Sequence, residues 1–178
     1  MNYCKYIPID VLNGVGTRCV LFVAGCEHHC KGCYNQSTWA PDAGNPIDTP
    51  LISQIITDLS DTKVPRDGIT ITGGDPLALY NRDKTKELVH ILHNRVPTKT
   101  IWLYTGYNYE DIPKEYLEYV DILVDGKYIE SLKDPKLSFR GSRNQRIIDI
   151  PSTLNQGKLV LATEFYRDQA KQAVVTRD

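Results

Sequence analysis

Residues 25–35, GCEHHCKGCYN, place Cys26, Cys30 and Cys33 within eight consecutive positions. Thiolates are soft ligands for zinc or iron–sulfur clusters, and three on one loop can converge on a single inorganic unit. Three is an incomplete set, because structural zinc and ordinary clusters take four ligands and a disulfide takes two. For zinc the fourth would be His28, His29, Cys4 or Cys19. The trio lacks the paired Cys-x-x-Cys knuckles of zinc ribbons and fingers. His28 and His29 are cramped between two candidate ligands and read as solvated loop residues. Spacing alone gives a three-cysteine cluster a modest edge over zinc. All five cysteines fall in the first 33 residues, unlike a disulfide framework, so a reducing compartment and a metal or redox role fit better. Cys4 and Cys19 stand apart and read as core residues.

A second feature is Gly73-Gly74-Asp75-Pro76. Alone it reads as a tight turn, since glycine tolerates positive φ and proline starts the next segment. Beside a cysteine trio it also offers close backbone approach and an acceptor carboxylate for a ligand's ammonium group. A small zwitterionic cofactor next to a cluster would require both. Asp125 and Lys127, two apart at a strand end, project to one face if extended. They are either a surface ion pair of little worth or a polar rim contact to a ligand. Thr105 is read the same way, while Tyr104 suits core packing. Arg140, Arg143 and Arg146 read as a solvated loop, although planar guanidinium groups also suit carboxylate recognition. His90 and His93 lie in a helical pattern and are assigned no chemistry.

The elements that must position these residues are legible as four short apolar runs, each stopped by glycine: 19–24 (CVLFVA), 69–72 (ITIT), 101–105 (IWLYT) and 122–125 (ILVD). Such runs suit strands buried on both faces of a parallel sheet. Thr49 with Pro50 signals a helix start, and Leu51, Ile52, Ile55, Ile56 and Leu59 form one apolar stripe. A second helix is predicted over 83–96, with Leu88, Val89, Leu92 and Val96 on one face, and a shorter one from Pro113 to Tyr119. Strands alternating with helices imply an α/β fold, in which the loops after the strands gather at one rim. The unusual residues sit in those four loops. Beyond them, 147–150 is predicted as an edge strand and 158–163 as another strand, with a short helix to the end.

The chain has 178 residues, 41% hydrophobic and 24% charged, and a net charge of −1, which fits one soluble domain. That balance gives no bulk attraction to nucleic acid or anionic membrane. No stretch reads as a signal peptide or membrane span. A full eight-unit barrel needs about 250 residues, so only a partial one is possible here. Residues 1–150 read as the single domain and 151–178 as a C-terminal extension, packed on it or loose.

With these motifs in place, the chain resembles the radical S-adenosylmethionine superfamily, whose members carry CxxxCxxC after the first strand and a GGE or GGD turn after the second. Within it, the ordered blocks NGVGTRCVLFVAGC, HHCKGCYNQSTW, TGGDPL, IWLYTGY, ILVDGKY and FRGSRNQR are similar to the anaerobic ribonucleoside-triphosphate reductase activating proteins. The resemblance spans nearly all of residues 1–150. It implies a partial, open parallel β/α barrel in which Cys26, Cys30 and Cys33 ligate three irons of a 4Fe–4S cluster and S-adenosylmethionine chelates the fourth. The missing ligand would then be the cofactor. Gly32, Cys33 and Tyr34 become adenine contacts, in place of the aromatic that many members carry before the third cysteine. Gly73, Gly74 and Asp75 join them, with Thr105, Asp125 and Lys127 as further contacts and Arg140, Asn144 and Arg146 as partner or cofactor anchors. The implied activity is reductive cleavage of S-adenosylmethionine, giving a radical that removes hydrogen from a glycine of the reductase large chain. A reducing electron donor and a cytoplasmic setting go with it. An activase of another glycyl radical enzyme such as pyruvate formate-lyase, or a zinc-stabilised binding module, are the alternatives.

Overall fold

The computed structural model describes residues 1–166. Its centre is β2 (Arg18–Val23), β4 (Gly68–Gly73), β5 (Thr100–Tyr104) and β6 (Ile122–Asp125), four strands paired parallel in that order. Side chains alternate between two buried faces. On β5, Ile101 and Leu103 join one core and Trp102 the other, and on β6 Leu123 opposes Ile122 and Val124 in the same way. Such two-faced burial is why these segments read as unbroken apolar runs.

Three further strands make the sheet mixed rather than purely parallel. β1 (Asn2–Asp10) runs antiparallel to β2, β3 (Asn45–Pro46) pairs antiparallel with β1, and β7 (Arg146–Asp149) runs antiparallel to β6. The order is β3-β1-β2-β4-β5-β6-β7, an open sheet with β3 and β7 at its edges. An all-parallel sheet therefore does not hold. β1 lacks an unbroken apolar run because most of its residues are only partly buried.

Helix α1 (Thr49–Ser60) buries Leu51, Ile55 and Leu59, and α2 (Arg82–Arg95) buries Leu88, Val89 and Leu92, against the Ile69, Ile71 and Leu103 face. The cap of α1 is Asp48 rather than Thr49: its carboxylate accepts from Leu51 N at 3.0 Å, with proline in the first turn. The predicted helix from Pro113 is only a 3-10 turn, Lys114–Tyr116, too short a segment to nucleate an α-helix. The predicted strand at 158–163 is reduced to one bridge, Ile148 to Leu161. Ahead of it stands α3 (Ile150–Gln156), capped by Asp149 and ended by left-handed Gly157. Ala162, Phe165 and Tyr166 then cover the Trp102 face of the sheet. The short C-terminal helix expected beyond them lies outside the described residues. No helix among the described residues is long and apolar enough to cross a membrane.

Candidate cluster and cofactor cleft

All four parallel strands end at the same rim, where their loops are hydrogen-bonded to one another. The cysteine loop closes on itself through Gly25 N to Thr38 O (2.7 Å) and Cys26 N to Trp39 O (3.0 Å). Gly25 O then accepts from Asp75 N at 2.7 Å, joining this loop to the turn after β4. Gly74 must be glycine for that junction, because a Cβ there would lie 2.3 Å from Gly25 O. Beyond β5 and β6, Thr105 N donates to Val124 O (2.9 Å) and Gly126 N to Tyr107 O (3.0 Å). These bonds frame an open cleft at the rim. Cys26, Cys30 and Cys33 line it together with Gly73, Gly74 and Asp75 of the turn after β4 and Thr105 and Gly106 after β5.

Each thiol meets backbone N–H donors. Cys26 is reached by the N–H groups of His28 and His29, Cys30 by that of Tyr128, and Cys33 by that of Asn35 at 3.4 Å. Burial nevertheless pushes the Cys26 thiol up to about 11. It raises Cys30 as well, opposed by Tyr128 N–H and the Lys127 charge. Cys19 is fully buried, with its sulfur accepting from Tyr6 Oη at 3.2 Å, and Cys4 is half-buried. No group of three or more His, Cys, Asp or Glu side chains among the described residues closes on a point where one metal ion could bind.

Asp75 is the hub of the rim. Its carboxylate is 1% exposed and accepts from Leu77 N (2.8 Å), Gly106 N (2.9 Å), Thr105 Oγ1 (2.8 Å) and His28 Nε2 (2.7 Å). A carboxylate only accepts, so His28 Nε2 carries its proton. Four donors fill the oxygens, so the carboxylate offered above to a ligand's ammonium is committed to the protein. His28 is not a solvated loop residue. Its side chain is 10% exposed and its ring packs edge-on against Tyr107 at 4.6 Å. Gly106 leaves room for it, since a Cβ there would lie 2.3 Å from the His28 ring. His29 is exposed and set at φ 46, its ring edge-on to Trp39 at 4.8 Å.

The remaining candidates divide. Thr105 lines the cleft, bonded to Asp75. Asp125 is fully buried and held by Arg146, whose Nε donates at 3.0 Å and whose Nη2 also bonds it, while Tyr109 N donates to it at 2.7 Å. Arg146 spans on to Glu110, with Nη1 and Nη2 at 3.0 and 2.8 Å, and these two carboxylates raise its pKa. Asp125 and Lys127 therefore do not share a face: Asp125 points inward to Arg146, and Lys127, beyond the Gly126 turn, is exposed near Cys30. Gly32 lies outside the cleft lining against the Glu130 carboxylate, and Tyr34 is fully exposed. Asn144 Nδ2 donates to Lys127 O at 2.7 Å, and the Arg140 guanidinium stacks on Tyr166 at 4.0 Å. Trp39, Tyr128 and Gln145 are cleft residues that the sequence did not single out, and His28, weighed there only as a zinc ligand or a solvated loop residue, joins them.

With three thiols and a glycine turn on one cleft, the chain falls in a recognisable class. Residues 12–148 match the family described as 4Fe-4S single cluster domain. Relatives in bacteria and in a phage carry the name anaerobic ribonucleoside-triphosphate reductase-activating protein. That of Escherichia coli (strain K12) is 47% identical over 82% of this chain and 96% of its own. That of Vibrio cholerae is 49% identical over 83% and 97%, and that of Enterobacteria phage T4 is 47% identical over 83% and 93%. The chain belongs to the family of anaerobic ribonucleoside-triphosphate reductase-activating proteins.

Proposed function

We propose that this chain activates an anaerobic ribonucleoside-triphosphate reductase by leaving a glycyl radical on its large chain, using S-adenosylmethionine and a 4Fe–4S cluster in the cytoplasm. The observation that carries this reading is the meeting of Cys26, Cys30 and Cys33 with the Gly73-Gly74 turn on one cleft, in a chain whose relatives bear that name. The cleft's donor set fits an iron–sulfur group. It offers three soft sulfurs in one lining, that of Cys33 already accepting from Asn35 N at 3.4 Å, beside the backbone of the Gly73-Gly74 turn.

Bound here, a reduced 4Fe–4S cluster would supply the single electron for reductive cleavage of S-adenosylmethionine, and with it the radical chemistry directed at the partner's glycine. The chain's residues hold and shield. Cys26, Cys30 and Cys33 are the cluster ligands. Gly73 and Gly74 admit the amino-acid end of S-adenosylmethionine, and Asp75, through Thr105, Gly106 and His28, fixes that turn against the cysteine loop. Gly32 and Tyr34 serve the adenine end, and for the exposed Tyr34 this requires the side chain to fold in over the ligand. Lys127 reaches the rim beside Cys30. Arg140, Asn144 and Arg146 order the loop that borders it. In this reading residues 1–150 are the working unit, an open partial barrel of the radical S-adenosylmethionine type, with 151–178 as an extension. A reducing electron donor completes the system.

Anaerobic reconstitution is the test. About four irons per chain load, and dithionite with S-adenosylmethionine yields 5′-deoxyadenosine. Tightly bound zinc without iron uptake or cofactor cleavage would sink the proposal.

A further inference from the structure

The open edge of the sheet at β7 is not bare. One side of β7 pairs with β6, and residues 160–162 lie along the other. There Asp149 N donates to Val160 O at 3.0 Å and Ala162 N to Ile147 O at 2.9 Å, around the bridge between Ile148 and Leu161. Tyr166 Oη accepts from Ile147 N at 2.8 Å, Ala162 is buried, and the Phe165 ring lies 5.2 Å from that of Trp102. This strap is lightly held. It makes one bridge where β6 and β7 pair at four positions, and Leu161, Thr163 and Glu164 are exposed. Register sets its direction. Arg146 of β7 pairs with Asp125 at the rim end of β6, and Asp149 pairs with Ile122 at the far end. Being antiparallel to β7, the strap runs from Asp149 back toward Arg146 and so points to the rim. Gln145, next to Arg146, lines the cleft, as does Tyr104, which packs on the same Trp102 cluster as Phe165 and Tyr166. The family match stops at residue 148, and 82% of this chain already spans 96% of the Escherichia coli relative. Most of the β7 edge thus falls within the shared region, and its occupant outside it.

We propose that the β7 edge with its Trp102 pocket is the docking track for an extended segment of the reductase large chain, and that residues 160–166 occupy it in cis as a pseudosubstrate strap. The inference rests on the activase reading above and names the surface by which that partner reaches the cleft. A sheet edge offers N–H and C=O groups to any extended chain, while alternate side chains fill pockets on one face. A segment laid on this track is anchored on the sheet and carries the residues after it to the rim where the three thiols stand. A glycine there meets the cleft with no side chain in the way. The strap uses the same edge bonds and the same pocket, so only molecules with a released strap engage the partner, and the apparent affinity falls by that fraction.

The experiment uses the full-length chain, reconstituted anaerobically with iron and given S-adenosylmethionine, and a reductase large chain. Amide hydrogen exchange is followed with and without the partner. The dissociation constant is measured for wild type, for the double variant Phe165→Ser with Tyr166→Ser, and for the chain ended after Gly157. In the complex the Ala162 amide exchanges faster while those of Ile147 and Asp149 stay slow, because the partner takes over the edge. Weakening or removing the strap tightens binding about tenfold. A strap that keeps its protection in the complex overturns the inference, and so do Ile147 and Asp149 amides that speed up as the strap leaves. Unchanged or weaker binding by a folded double variant overturns it as well, leaving the strap as mere cover for Trp102. Should both altered chains unfold in thermal melts, exchange in the wild type alone decides. An iron-replete wild type that binds no large chain refutes the activase reading and this one with it, whereas binding with the strap retained refutes this one only.

Discussion

A carboxylate has room for about four hydrogen bonds, and Asp75 receives four from three places in the chain: His28, Leu77 and the adjacent Thr105 and Gly106. Two of those donors, Leu77 N and Gly106 N, belong to the backbone and cannot reverse their role. Asp75→Asn turns an amide toward one of them, and we expect a loss of about 2–4 kcal/mol in the unfolding of the apo chain, measured by denaturant titration. His28→Ala removes one charge-assisted bond and should cost about 1.5–3 kcal/mol in the same assay, with His28→Gln recovering part of it. Equal stability of His28→Ala and wild type would show that the ring does not fasten the loops. The sequence pointed to Asp75 as a site residue but not to its partners. His28 is 47 positions away, and its partner depends on which strand ends become neighbours. A histidine between two cysteines carries no local signal of that. The three cysteines were legible because their own spacing is the signal.

Among the elements, the four central strands could be read directly, since two-faced burial leaves apolar runs. Strand β1 could not, because NYCKYIPID mixes exposed and half-buried positions. Helix α3 had its signals in Asp149, Pro151 and Gly157, but it spans only seven residues and escaped a reading based on apolar periodicity. The β6–β7 pair shows how a loop arginine becomes structural: Arg146 opens β7 and pins Asp125 at the end of β6. Arg146→Met leaves that fully buried carboxylate without its cation, and a destabilisation of about 3 kcal/mol is expected by denaturant titration. Glu110 adds a pH dependence. Its bond from Arg146 lowers its pKa in the folded state, so its contribution is present above the ordinary glutamate value of about 4.3 and disappears as pH falls through the depressed one. Thermal melts between pH 7 and 3 should therefore show a shallower acid decline for Glu110→Gln than for wild type. Superimposable curves would remove Glu110 from the account.

For the molecule as a whole, the consequence of the fold is an unclosed sheet whose strand ends present an open cleft at the rim. The three thiols share the lining of that cleft, while Cys4 and Cys19 lie outside it. Cys26→Ala, Cys30→Ala and Cys33→Ala should each abolish cleavage of S-adenosylmethionine, and Cys4→Ala should leave it unchanged, as followed by release of 5′-deoxyadenosine. Full activity in Cys30→Ala would be fatal to the ligand assignment. The central claim is tested most directly on the partner. The reconstituted chain, S-adenosylmethionine and dithionite are incubated anaerobically with an anaerobic ribonucleoside-triphosphate reductase large chain, and in parallel with pyruvate formate-lyase, and electron paramagnetic resonance spectra are recorded. The account predicts a glycyl radical on the reductase and none on the lyase. A reductase without radical beside a lyase that carries one, or no radical on either from an iron-replete chain, would contradict it.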